Sequence, residues 1–154
     1  MALNWRDAGS PHRRASPRPL DSRTFTHHVA NPHLAPLPAA MLSGILIFNQ
    51  KGENLIFRAF RSDCRARLAD IFRIQVISNS SIRSPILTLG STTFSHIRHE
   101  NIYLVAVTKS NVNAALVFEF LERLRRVGKE YFGKFDEEAV KNNFVLVYEL
   151  LDGK

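Results

Sequence analysis

Two eight-residue segments of this chain, LSGILIFN (residues 42–49) and NIYLVAVT (residues 101–108), are apolar at odd and even positions alike. Successive side chains of a β-strand point to opposite faces, so a strand with Ile45 and Ile47 on one face and Leu46 and Phe48 on the other must be covered on both. The chain therefore requires a sheet with a layer on each side, in which these two segments are central neighbours. The more polar strand candidates belong outside them. NLIFRAF follows the first central strand after the short turn QKGE, whose Gly52 can take positive φ, and the two make a β-hairpin. PILTL opens on Pro85, which an edge strand tolerates at its first position. TTFSHIRH alternates and runs into the second central strand through a turn around Glu100.

Between and after these strands the period changes to that of a helix. SDCRARLADIFRIQVI begins with Ser62 or Asp63 as N-cap and places Cys64, Leu68 and Phe72, with Ile71 beside them, at helical spacing. VNAALVFEFLERLRRVGKEYFG carries Leu116, Phe120, Leu124, Val127 and Tyr131 on one face, widened by Val117 and Leu121. Gly128 within it costs about 1 kcal/mol relative to alanine, which predicts a weak last turn before Gly133 ends the helix. Asp136, Glu137 and Glu138 start a final helix where its dipole favours negative charge. Its predicted buried stripe is Val140, Phe144, Val147 and Leu151, and Gly153 stops it. The order β-β-α-β-β-β-α-α predicts an α+β fold, an α/β sandwich whose five-stranded, mainly antiparallel sheet has helices packed on both faces.

Six of the seven prolines, four of the six histidines and the single tryptophan lie in residues 1–40. That stretch has no apolar periodicity, so it cannot bury enough surface to offset the entropy of ordering, and a disordered Pro/Arg/His-rich extension is expected there. Residues 41–154 are then one globular domain. Of the formal net charge of +7, the first 40 residues hold +3, from five Arg and two Asp, and the remainder +4, from 16 basic and 12 acidic residues. The folded part is less basic than the total implies. One cysteine, Cys64, excludes an internal disulfide framework, and no run of 18 apolar residues is long enough to span a membrane. A reducing, cytoplasmic setting is expected.

The chemistry-bearing side chains form no catalytic constellation. His96 and His99 are three apart on a strand and point to opposite faces, with no further ligand nearby for the four that a structural zinc needs. Cys64 reads as a small buried residue rather than a nucleophile, and the acidic trio at 136–138 as helix-start chemistry. No enzyme, metal or cofactor is expected. Arg123, Arg126 and Lys129 on the long helix are candidate contacts for an acidic surface, although Glu119 to Arg123 and Glu122 to Arg126 stand at the i to i+4 spacing of ion pairs on a solvated face. A basic module for RNA or anionic membrane is the alternative reading. The aromatics sit at core-facing positions rather than on an open strand face, so no nucleic acid is expected. The first helix carries more apolar surface than one sheet face needs, because Leu68, Ile71 and Phe72 are followed at once by Ile74, Val76 and Ile77.

Several stretches carry a resemblance: FNQKGENLIFRAFR, DIFRIQVI, RSPI, NIYLVAVTKSNVNAALVFEFL and VKNNFVLVYELLDG. From about Met41 to Asp152 the chain resembles the N-terminal longin-like (SNARE-like) domain of the medium (mu) subunit of clathrin adaptor complexes. FRIQVI and TKSNVNAALVFEFL are most similar to the plasma-membrane endocytic member. The resemblance implies a non-enzymatic subunit of a heterotetrameric adaptor, packed against a large beta-class subunit beside other adaptor subunits and, through them, clathrin. It implies a peripheral location at plasma-membrane coated pits. It further implies that Met41 is where the family's chain would begin and that the cargo-reading C-terminal β domain is absent after Lys154. In longin-type domains the cleft between the first helix and the third strand is a docking surface, which nominates Leu68, Phe72, Ile74, Ile86 and Leu87 as partner contacts. The segment ERLRRVGKEYFG is more charged than the family's pattern for that helix.

Overall fold

The computed structural model describes residues 41–153, and the expected disordered extension lies outside them. Five strands, β1 (Leu42–Asn49), β2 (Asn54–Ala59), β3 (Ile86–Leu89), β4 (Thr92–His99) and β5 (Ile102–Lys109), form one antiparallel sheet in the order β2-β1-β5-β4-β3. The two doubly apolar segments are adjacent at its centre, with Ile45 opposite Ala106, Leu46 opposite Val105 and Ile47 opposite Leu104. Every residue of β1 is buried.

Alternation along these strands divides the interior into two cores. Ile45, Ile47, Ile56, Leu104 and Ala106 face α2 (Ala114–Phe132), α3 (Glu137–Asn142) and α4 (Phe144–Leu151). Leu46, Phe48, Phe94, Val105 and Val107 face α1 (Arg67–Phe72) and the π-helical turn that continues it, Arg73–Ile77. The expected α+β sandwich with helices on both faces is the observed fold.

The helices depart from expectation at their ends. α1 begins at Arg67 rather than after Ser62 or Asp63, and its first position is preceded by Ala66 with no side-chain cap. The reason lies in Cys64, which is buried against Gly44 of β1 and holds residues 61–66 as a turn on the sheet. A Cβ at Gly44 would lie 2.8 Å from the Arg58 carbonyl oxygen and collide with the Cys64 sulfur. Only glycine allows that approach.

Along α2 the buried stripe is Val117, Phe120, Leu121, Leu124, Val127 and Gly128, whereas Leu116 and Tyr131 are exposed. The stripe is thus rotated toward the residues expected only to widen it. Gly128 does not fray the helix, which runs unbroken to Phe132. A Cβ there would stand 2.6 Å from the ring of Phe135, so the missing side chain is what seats that phenylalanine.

The final helix is two helices. Asp136 caps α3 by accepting from the Ala139 amide at 2.9 Å, and Asn143 breaks the run at φ −130° and ψ 30°. After the break Val147, Leu150 and Leu151 are buried and Phe144 is not. α4 is fastened along β2, with an Arg58–Asp152 ion pair at 2.5 Å.

A polar knot joins α3 to two strand turns. Asn49, 1% exposed, accepts from the Lys51 and Glu53 amides at 3.0 and 2.9 Å. Its side-chain nitrogen donates to Glu53 at 2.7 Å and to Glu137 at 3.0 Å. The Glu137 amide donates to the Asn101 side chain at 2.8 Å, and Lys141 pairs with the Glu137 carboxylate at 2.7 Å. These bonds hold that carboxylate below its ordinary range, chiefly through the Lys141 and Asn49 hydrogen bonds.

Candidate partner-docking surfaces

The residues nominated on α1 and β3 occupy different depths. Phe72 is fully buried, with its ring centroid 5.3 Å from that of Phe48 and 5.8 Å from that of Phe94. It is a core residue and offers no surface to a partner. Leu68, Ile86 and Leu87 are half-buried, and Ile74 is 58% exposed. Most of the apolar excess read in this segment is therefore absorbed. Phe72 and Val76 point into the core, Ile71 and Ile77 pack at its margin, and Ile74 projects into solvent. The π turn, closed by the Ser78 amide on the Arg73 carbonyl at 2.9 Å, is the local geometry that accommodates so dense an apolar run.

The larger exposed apolar run lies elsewhere. Phe144, Val145 and Leu146 are consecutive in the first turn of α4 and are 54%, 55% and 51% exposed. Phe144 stands three residues before Val147 and so shares its side of the helix. Val147 has the sheet core beneath it, and Phe144 has nothing comparable. Sequence periodicity placed Phe144 in the buried stripe because it reports direction around a helix and not what lies opposite. The visible signal was composition, since NNFVLVYELL has too many apolar residues for one face.

The charged candidates sit on the outer face of α2. Arg123 pairs with Glu119 at 2.7 Å, as expected from the spacing. Glu122 pairs with Arg125, three residues on, at 2.7 Å rather than with Arg126. Arg126 and Lys129 are exposed and belong to no ion pair among the described residues.

The remaining reactive side chains are held for structure. His96 lies between Phe72, in an edge-on contact at 5.2 Å, and Tyr103 at 6.1 Å. Its Nδ1 is buried without a hydrogen-bond partner, and burial lowers its pKa below the usual histidine range. The Cys64 thiol is pushed up to about 11 by burial and by the neighbouring Asp63 charge, so it is the inert protonated form at neutral pH. Among the described residues no group of three or more His, Cys, Asp or Glu side chains could hold a metal ion. No helix among them is long and apolar enough to cross a membrane.

No protein-family model matches the chain. Curated proteins named AP-2 complex subunit mu do, among them the following three. The one from Caenorhabditis elegans is 49% identical over 113 residues, covering 73% of this chain and 26% of that protein. The one from Dictyostelium discoideum is 48% identical over 112 residues, with the same coverage. The one from Saccharomyces cerevisiae is 46% identical over 116 residues, 73% of this chain and 23% of its own length. The chain spans about a quarter of the length of these relatives.

Proposed function

Given that this chain is a homologue of AP-2 complex mu subunits, we propose that residues 41–154 correspond to the N-terminal domain of that family and are a non-enzymatic subunit domain of a clathrin adaptor. In this reading the domain packs against a large, beta-class adaptor subunit and serves vesicle-mediated protein transport in endocytosis. The observation that carries the reading is the high identity shared along the whole folded domain with relatives of one name. The surface supports it. A chain that leaves Phe144, Val145 and Leu146 half in water, with Ile74 beyond them, has apolar area suited to a larger partner.

Two faces are assigned to that partner. The first turn of α4 is the main apolar anchor, and Ile74 with the half-buried Leu68, Ile86 and Leu87 forms a second contact. Phe72 supports the second contact from beneath. Arg126 and Lys129 are free to meet an acidic surface, which gives the adaptor a peripheral membrane contact without a membrane-spanning helix.

The test is co-expression of the full chain with a beta-class large adaptor subunit, followed by size-exclusion chromatography. The expected result is poor recovery of the chain alone and a stable complex with the large subunit. A chain that stays monomeric at high concentration and ignores the large subunit overturns the assignment. Steep salt dependence of binding to RNA or to anionic vesicles, with no adaptor complex, would favour the basic-module reading instead.

A further inference from the structure

One end of the sheet presents a row of residues that leads from the start of β1 to the outer edge at β3. Leu42 stands opposite Thr108, Thr92 opposite Lys109, and Leu89 opposite Thr92. Along this row a cleft of about 350 Å³, walled by Met41, Arg61 and Lys109, shares Lys109 with a groove of about 60 Å³. The groove passes Leu68 and ends at Ser91 and Thr92. Past its end lies Leu89, 40% exposed. Leu89 is two residues beyond Leu87, which packs on the α1 core, and so faces the same side of the sheet.

Forty residues precede Met41, and the last seven, residues 34–40, read LAPLPAA. Leu34 and Leu37 are three apart, and a polyproline II helix has three residues per turn, so that conformation sets both on one side. Pro36 and Pro38 fix φ near the required value before any contact forms, which lowers the entropy of ordering. The lengths agree as well. Leu37 is five residues before Leu42, about 15 Å at the polyproline II rise of roughly 3.1 Å per residue. The outer strand that carries Leu89 is three places from β1, about 14 Å at the usual strand spacing of roughly 4.8 Å.

We propose that residues 34–40 fold back across this end of the sheet as a polyproline II segment, seating Leu37 on Leu89 and capping the groove beside Leu68. A polyproline II backbone has no internal hydrogen bonds, so its carbonyls take donors from outside, and the exposed Lys109 ammonium stands at the crossing. Arg61 and Lys109 line the exit, and residues 34–40 carry no charge for them to repel. The cover overlaps the second face assigned above to a partner, which would have to displace it. That consequence rests on the proposed partner contact, whereas the fold-back does not.

The experiment compares the full parent chain with Leu34→Ser/Leu37→Ser by hydroxyl-radical footprinting. No adaptor subunit is present, so its failure and that of the partner assignment are separate. Leu89 is expected to be oxidised about threefold faster in the variant, the effect of a cover in place roughly two thirds of the time. Phe144, exposed on the opposite side of the sheet, should react equally in both chains. Equal oxidation of Leu89 in the two chains overturns the proposal. An equal rise at Phe144 reports general loosening and overturns it as well. Protection of Leu89 that disappears on dilution, together with a dimer in sedimentation, assigns the contact to a second copy and overturns the fold-back.

Discussion

Tyr148 of α4 closes the outer edge of β2 through one residue, Phe57, whose amide and carbonyl both bond its hydroxyl at 3.2 Å. A strand edge presents unpaired amides and carbonyls to any other strand, and proteins protect such edges to avoid pairing between copies. Here a side chain 91 residues away in sequence takes the position a sixth strand would use.

Tyr148→Phe keeps the ring and removes the bonds. The expected loss of stability is about 1–2 kcal/mol, two modest hydrogen bonds' worth, read from urea denaturation. Self-association at high concentration should rise in the same variant. Unchanged sedimentation together with unchanged stability would show that water replaces the hydroxyl without cost.

Gly128→Ala inverts the rule for exposed helices. Helix propensity alone predicts a gain of about 1 kcal/mol. The new methyl group would meet the Phe135 ring at 2.6 Å, and overpacking a filled core costs about 1–3 kcal/mol. Net destabilisation is therefore expected in thermal unfolding. Combining Gly128→Ala with Phe135→Leu should recover part of the loss, because the smaller side chain gives the methyl room.

His96 makes the fold acid-sensitive. Burial lowers its pKa in the native state below the unfolded value near 6.5, so the unfolded chain binds the extra proton more readily. Stability from this group is full above pH 6.5 and falls as pH drops through the native pKa. The groups around it, Phe72 and Tyr103, supply no anion to receive the charge, and Arg98 lies over Tyr103 at 5.8 Å. Denaturation midpoints between pH 7.5 and pH 5 should fall less for His96→Leu than for the parent chain.

The exposed turn of α4 separates binding from folding. Phe144→Ser with Leu146→Ser should change stability by no more than about 0.5 kcal/mol per site, as expected for exposed positions. The double variant should be more soluble and should lose co-purification with a large adaptor subunit. Val147→Ala, one residue on and fully buried, should cost about 2 kcal/mol. A double variant that still joins the complex would place the partner on another face.

Much of this architecture was legible in the residues. The bounds of β1 and β4, the centrality of β1 and β5, the turn at Glu100, the positive φ of Gly52 and the Gly133 stop all follow from local pattern. The likeness to the adaptor family was also legible, because long identical stretches survive regardless of packing. Helix faces were less so. Leu116, Tyr131 and Phe144 were placed inside and lie outside, and Cys64 was placed in a helix that begins after it.

The physical reason is that period two assigns a strand residue to one of two faces with no remainder, whereas a helix offers a continuum of directions. A doubly apolar strand therefore states on its own that it is central. Which side of α2 meets the sheet, and where α4 outruns it, depends on what stands opposite. Contacts such as Gly44 with Cys64, Asn49 with Glu137 and Phe57 with Tyr148 join residues that no local window contains. Local pattern was enough for a covered sheet and for a likeness to the adaptor family. The tertiary structure alone decided which apolar side chains remain for a partner and how the sheet's edges are closed.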